Sequence, residues 1–161
     1  MTLLRRVRAT ASVAIVWGFG GAIVGAARAT MLLLQVENQK GWIPPSELIW
    51  FMARGWGTTM ALAGVAFGAT MSAWNQFFRR GKSHWPSIAA GAGAAAIVSV
   101  LTVVPRLLAF HVSRSTAVGI AISQALMATA AAIGTVAVAE VSARRRGHSL
   151  IRRDKRLAHE S

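Results

Sequence analysis

Residues 64–96 read GVAFGATMSAWNQFFRRGKSHWPSIAAGAGAAA. Two apolar runs meet at a short basic turn carrying Arg79, Arg80 and Lys82, and the second run opens on small residues. A helix needs about 20 apolar residues to cross about 30 Å of hydrocarbon. The runs on either side of the turn are about that long, so the stretch reads as two antiparallel helices folded back at one membrane face. Pro86 falls in the first turn of the second helix, where a missing N–H costs nothing.

The rest of the chain has the same texture. Of 161 residues, 54% are hydrophobic and 14% charged, and mean hydropathy is +0.48. A soluble domain carries about a quarter charged residues. Apolar stretches fall at about residues 10–34, 48–78, 86–104 and 116–141. The expected fold is an all-α integral membrane four-helix bundle, with one four-span domain over 1–143 and a basic tail over 144–161. The second stretch is long for one span and predicts either tilt or a first turn lying in the interface. The tail, with Leu150, Ile151 and Leu157 among its cations, is read three ways: lying on an anionic membrane, docked on an acidic partner, or solvated.

Net charge is +13, from 18 Lys and Arg against 5 Asp and Glu. The cations fall mostly outside the apolar runs, which assigns them to topology and lipid headgroups and argues against nucleic acid. The N-terminus, the central turn and the tail hold most of them, while Arg28, Lys40, Arg54, Arg106 and Arg114 lie toward the other face. An even number of spans places both termini and the turn on one side. Trp42, Trp50 and Trp56 then mark one interface, and Trp74 and Trp85 the other.

Lipid tails give no hydrophobic drive between helices, so small residues that let backbones approach should make the contacts. The residues expected to pack helices together are Gly21, Gly25, Gly64, Gly68 and Gly91. Files of small residues also run through Gly57 and Ala61, through Gly91, Ala95 and Ser99, and through Ala117, Ala121 and Ala125.

Little chemistry is legible. There is no Cys, and Glu37, Glu47, Glu140, Asp154 and Glu160 all map to loops, span ends or the tail. No carboxylate lies mid-membrane to relay a proton. The four His residues do not share a helix face at i, i+4 spacing, which argues against a metal or haem site. We expect no catalytic residue, cofactor or metal. Arg28, Arg54, Arg106 and Arg114 are candidates for anionic lipid headgroups such as cardiolipin, weighed against simple snorkelling to the interface. Gln124 and Asn75 are candidates for hydrogen bonds between helices.

The opening stretch resembles the mitochondrial inner-membrane preprotein-translocase channel family, of the four-helix preprotein and amino-acid transporter type. That family's signature runs from a small residue and an aromatic, through Arg-x-x-x-Asp, to a small–Gly pair and a further Gly. Gly64 and Phe67 match its start, Arg80 stands at the Arg with Lys82 two residues on, Ala90 and Gly91 match the pair, and Ala95 replaces the last Gly. GFGGAIVGAARA at residues 18–29 is similar to the family's glycine-lined first helix. His84 replaces the Asp, the following Asn is missing, and spacings differ by a residue or two.

A degenerate signature of this kind is closest to the translocase-like accessory subunit of respiratory complex I. The resemblance implies a non-catalytic accessory membrane subunit of the mitochondrial respiratory chain, packed against other membrane subunits and lipid. It also implies residence in the inner membrane, with both termini in the intermembrane space. The positive-inside rule would instead place them in the matrix, or in the cytoplasm of a bacterium. The alternatives are a component of an inner-membrane import translocase and an unrelated bacterial four-span protein.

Overall fold

A computed structural model describes residues 3–35, 44–77, 85–109 and 113–157, with side chains over 4–34, 44–74, 85–105, 107 and 113–142. Four helices follow one another: α1 (Leu3–Gln35), α2 (Pro45–Phe77), α3 (Trp85–Ala109) and α4 (Arg114–Leu157). The turn residues Arg79, Arg80, Lys82 and His84 lie outside the described residues, as do the side chains of Asn75 and Arg106.

Local chemistry accounts for the helix starts. Pro45 opens α2, and the Pro44 carbonyl accepts the N–H groups of Glu47 and Leu48 at 3.0 and 3.1 Å. Ser113 caps α4: its Oγ accepts the Thr116 N–H at 3.3 Å, and its carbonyl accepts that of Ala117 at 2.9 Å. Two helices outrun the apolar stretches that predicted them. α3 continues through Pro105 to Ala109, because an apolar surrounding gives its backbone no alternative partner to the helix. α4 has 44 residues and carries the basic segment as a helical extension as far as Leu157. At 1.5 Å per residue it is about 66 Å long, roughly twice the hydrocarbon thickness.

Three helices are long and apolar enough to cross a membrane: α1 over Leu4–Leu34, α3 over Trp85–Pro105 and α4 over Arg114–Ser142. They mark a multi-pass membrane protein. α2 matches α1 in length at 33 residues, but Glu47, Arg54 and its Gly, Thr and Ser content make it the weaker candidate. Composition therefore marks three spans where the hydropathy reading expected four.

The α1–α2 pair is the closest packed, followed by α3–α4 and α2–α3. The α1–α2 register is antiparallel. A Cβ on Gly25 would lie 2.5 Å from the Met52 carbonyl oxygen, and one on Gly21 2.8 Å from that of Trp56. Gly18 and Gly57 face one another, Gly64 abuts Ala14, and Gly68 abuts Thr10. Only a residue without a side chain allows backbones this close. On α3, a Cβ at Gly91 would meet the Phe67 ring at 2.8 Å.

Trp17, Met60, Phe67, Ala95 and Ala128 belong to the buried cluster between the helices, and the Trp17 and Phe67 rings stack at 5.3 Å. On α3 the inward stripe runs through Gly91, Ala95, Ser99 and Val103. On α4 it runs through Ala117, Ala121, Gln124, Ala128 and Ala132. The expected file through Ala125 leaves this stripe: Gln124 is buried and Ala125 only half-buried.

Candidate functional site: a cavity among four helices

Most hydroxyl groups with described bonds are used on their own helices. Thr59 donates to the Gly55 carbonyl at 2.9 Å, Ser99 to Ala95 at 2.9 Å, Thr129 to Ala125 at 2.9 Å and Thr135 to Ala131 at 2.8 Å. Each bond satisfies a hydroxyl in an apolar setting and leaves its oxygen with acceptor capacity. Among the described residues, no three His, Cys, Asp or Glu side chains come together.

The α1–α4 seam differs from the other seams between neighbouring helices. α1 and α4 do not form a close backbone interface, although two hydrogen bonds bridge them. Trp17 Nε1–H donates to Thr135 Oγ1 at 3.0 Å, and Arg28 Nη1 donates to Ser123 Oγ at 3.3 Å. Between the helices lies an apolar cleft of about 620 Å³, whose lining includes Val13, Val24, Met60, Met127 and Val138. Gly20 and Gly134 also border it, and neither has an atom within 4 Å of the position a Cβ would take.

One helical turn further toward the α1 C-terminus lies a second space of about 650 Å³, to which all four helices contribute. Arg28 and Leu32 come from α1, Phe51, Arg54, Trp56 and Thr59 from α2, Val103 and Leu107 from α3, and Thr116, Ile120 and Gln124 from α4. Among the described residues its lining contains two arginines and no carboxylate.

Arg28 is held by neutral groups. Its guanidinium stands 5.1 Å from the Trp56 ring centroid and donates to Ser123. A cation over an indole face is attracted electrostatically, but the contact leaves its charge uncompensated. Most of the five guanidinium N–H donors remain for a ligand.

Gln124 is 2% exposed, and its Oε1 is buried without a hydrogen-bond partner. The expected interhelical bond from Gln124 is therefore not formed at this oxygen. A buried acceptor left unmatched costs about 1–3 kcal/mol.

Measured against protein-family models, curated proteins and solved structures, the chain matches none.

The structure brings together two of the four arginines picked out in the sequence, Arg28 and Arg54. Arg114 stands exposed at the start of α4 and does not line the cavity. Gly21, Gly25, Gly64 and Gly68 lie in the α1–α2 interface, and Gly91 and Phe67 meet between α2 and α3. Trp56, read as an interfacial anchor, is instead buried beside Gly21 and Gly25 with Arg28 over its face. Trp50 and Trp85 are exposed, as interfacial residues would be. Trp17 was not singled out in the sequence. Its place in the α1 apolar run hides it, and its indole N–H, which needs an acceptor when buried, was the available signal.

Proposed function

We propose that this chain is a non-catalytic, four-span helical membrane subunit that works through helix packing and lipid contacts. The observation that supports this reading is where its glycines stand. Gly18, Gly21, Gly25, Gly57, Gly64, Gly68 and Gly91 are in close contact with neighbouring helices, whereas Gly93 and Gly119 have nothing within 4 Å. The first set locks the chain to itself. The second leaves shallow places on the outer faces of α3 and α4, beside the exposed Ile97 and Ile122, where a partner's helix gains close approach.

The resemblance around Gly64, Phe67 and Gly91 narrows the proposal to an accessory subunit of a mitochondrial respiratory complex, complex I foremost. In that setting α2 spans as the fourth helix, and both termini face the intermembrane space.

The test is a mild-detergent native gel of membranes holding the tagged chain, with the protein bands identified by mass spectrometry. Co-migration with NADH dehydrogenase activity supports the accessory-subunit reading, and Gly93→Leu with Gly119→Leu should weaken that co-migration while leaving the chain folded. Migration alone, or with import components, overturns it.

A further inference from the structure

We propose that the cavity and the cleft together bind one amphiphile, whose head is an anion with an adjacent hydroxyl or amine donor. This deepens the lipid-contact part of the proposed function and stands whichever complex holds the chain.

Three observations converge on the head. Arg28 and Arg54, both exposed, border one cavity from two helices, and no acid stands among its described lining residues. The described contacts of Arg28, with Ser123 and the Trp56 ring, orient the guanidinium without compensating its charge. Gln124 Oε1 is buried there with no donor. In apolar surroundings charged groups are retained where they meet an opposite charge, and buried acceptors where they meet a donor. An anion alone suits the arginines and repels the Gln124 oxygen. A head with a phosphate and a neighbouring hydroxyl satisfies both.

In the register of the helices Arg28 is about level with Ser123 and Gln124, and Arg54 lies about one turn further in along α2. Leu32, Phe51, Leu107 and Thr116 line the cavity nearer the helix ends, and Arg28, Arg54 and Gln124 line it further in. Thr116 and Gln124 are about 12 Å apart along the axis at 1.5 Å per residue.

The cleft supplies the place for the tail. Val24 of the cleft precedes Arg28 of the cavity by one turn on α1, Met60 follows Trp56 by one turn on α2, and Met127 follows Gln124 on α4. The cavity that holds the two arginines and the apolar cleft therefore lie end to end along the open α1–α4 seam. A cavity of about 650 Å³ is within the usual range of ligand sites, and the apolar cleft one turn beyond it favours an amphiphile over a free anion.

The experiment is native mass spectrometry of the full chain released from detergent, with added phosphatidylglycerol, phosphatidylcholine or glycerol 3-phosphate. The expected result is one retained phosphatidylglycerol, with phosphatidylcholine and glycerol 3-phosphate retained at least about ten-fold less, which one lost charge-assisted contact accounts for. Arg28→Gln with Arg54→Gln should abolish that preference. Gln124→Met should reduce phosphatidylglycerol retention by about ten-fold, with helix content and elution volume showing that each variant is folded. Gln124→Asn, which keeps a shorter acceptor, should retain more lipid than Gln124→Met.

Equal retention of phosphatidylglycerol and phosphatidylcholine overturns the anionic site. Displacement of the lipid by glycerol 3-phosphate overturns the amphiphile in favour of a free anion. Unchanged retention in Gln124→Met overturns the donor requirement. None of these outcomes depends on co-migration with a respiratory complex, so this proposal and the subunit reading fail separately.

Discussion

Trp17 donates its indole N–H to Thr135 Oγ1 at 3.0 Å while its ring stacks on Phe67 at 5.3 Å. One side chain on α1 thus touches α2 through its face and α4 through its edge. Thr135 passes its own proton to the Ala131 carbonyl at 2.8 Å, leaving its oxygen open to the indole. The geometry ties the open seam at mid-height, in a chain where lipid gives no hydrophobic drive to close it.

Trp17→Phe keeps an aromatic ring against Phe67 and removes the donor. Interhelical hydrogen bonds in membranes are worth about 0.6 kcal/mol, with a maximum near ~1.7 kcal/mol. Trp17→Phe and Thr135→Val should each destabilise by about that amount, read from unfolding in mixed micelles. The double variant should lose little more than the worse single one, because each removes the same bond. Full additivity would show that the bond contributes nothing.

Gly25→Ala and Gly20→Ala form a matched pair five residues apart, on different faces of α1. At Gly25 the new methyl meets the Met52 carbonyl at 2.5 Å, and backbone cannot yield as a side-chain tip can. Overpacking of this kind costs about 1–3 kcal/mol. At Gly20 nothing lies within 4 Å, and alanine's better helix propensity acts unopposed. Thermal melting in detergent should fall for Gly25→Ala and hold or rise for Gly20→Ala. Gly68→Leu, placed against the backbone of Thr10, should fall furthest. Equal melting of Gly25→Ala and the parent would contradict the close α1–α2 approach.

Gln124→Met should stabilise the delipidated chain. It removes a buried acceptor without a partner, which costs about 1–3 kcal/mol, and keeps a flexible side chain of similar length. A loss of stability on this substitution in the delipidated protein would mean that Gln124 already has a structural partner.

The side on which the two termini lie tests whether α2 spans. The chain has no cysteine, so single cysteines at Thr2 and Ser161 report cleanly with a membrane-impermeant maleimide. Four spans label both from one side. Labelling from opposite sides would leave three spans and put α2 at the interface.

The helical character of the chain is legible in its sequence because apolar runs and polar breaks differ so sharply. Gly21, Gly25, Gly64 and Gly68 stand out because only small residues allow backbones to touch. Trp56 misleads, since a tryptophan near a span end ordinarily marks an interface, and its inward turn depends on the space left by Gly21 and Gly25 on another helix. The cavity is illegible for the same reason. Arg28, Arg54 and Gln124 meet only through the register of α1 against α2 and the gap between α1 and α4, and neither is written in any one segment. The extent of α4 is also hidden, because hydropathy ends at the first arginines of the tail while helix propensity does not.

The glycine-to-backbone fit between α1 and α2 bears on how the chain enters a membrane. These two helices are neighbours in sequence, leave the ribosome before α3 and α4 and need nothing from either to close on each other. α2, the weaker candidate span beside α1 and α3, need not partition into lipid alone: it can enter as the second arm of a hairpin whose first arm is already at home there. The later pair then docks sideways onto a finished unit. A defect at Gly25 would thus be felt during biosynthesis, as α2 left stranded at the membrane surface, before it is felt as lost stability in the mature protein.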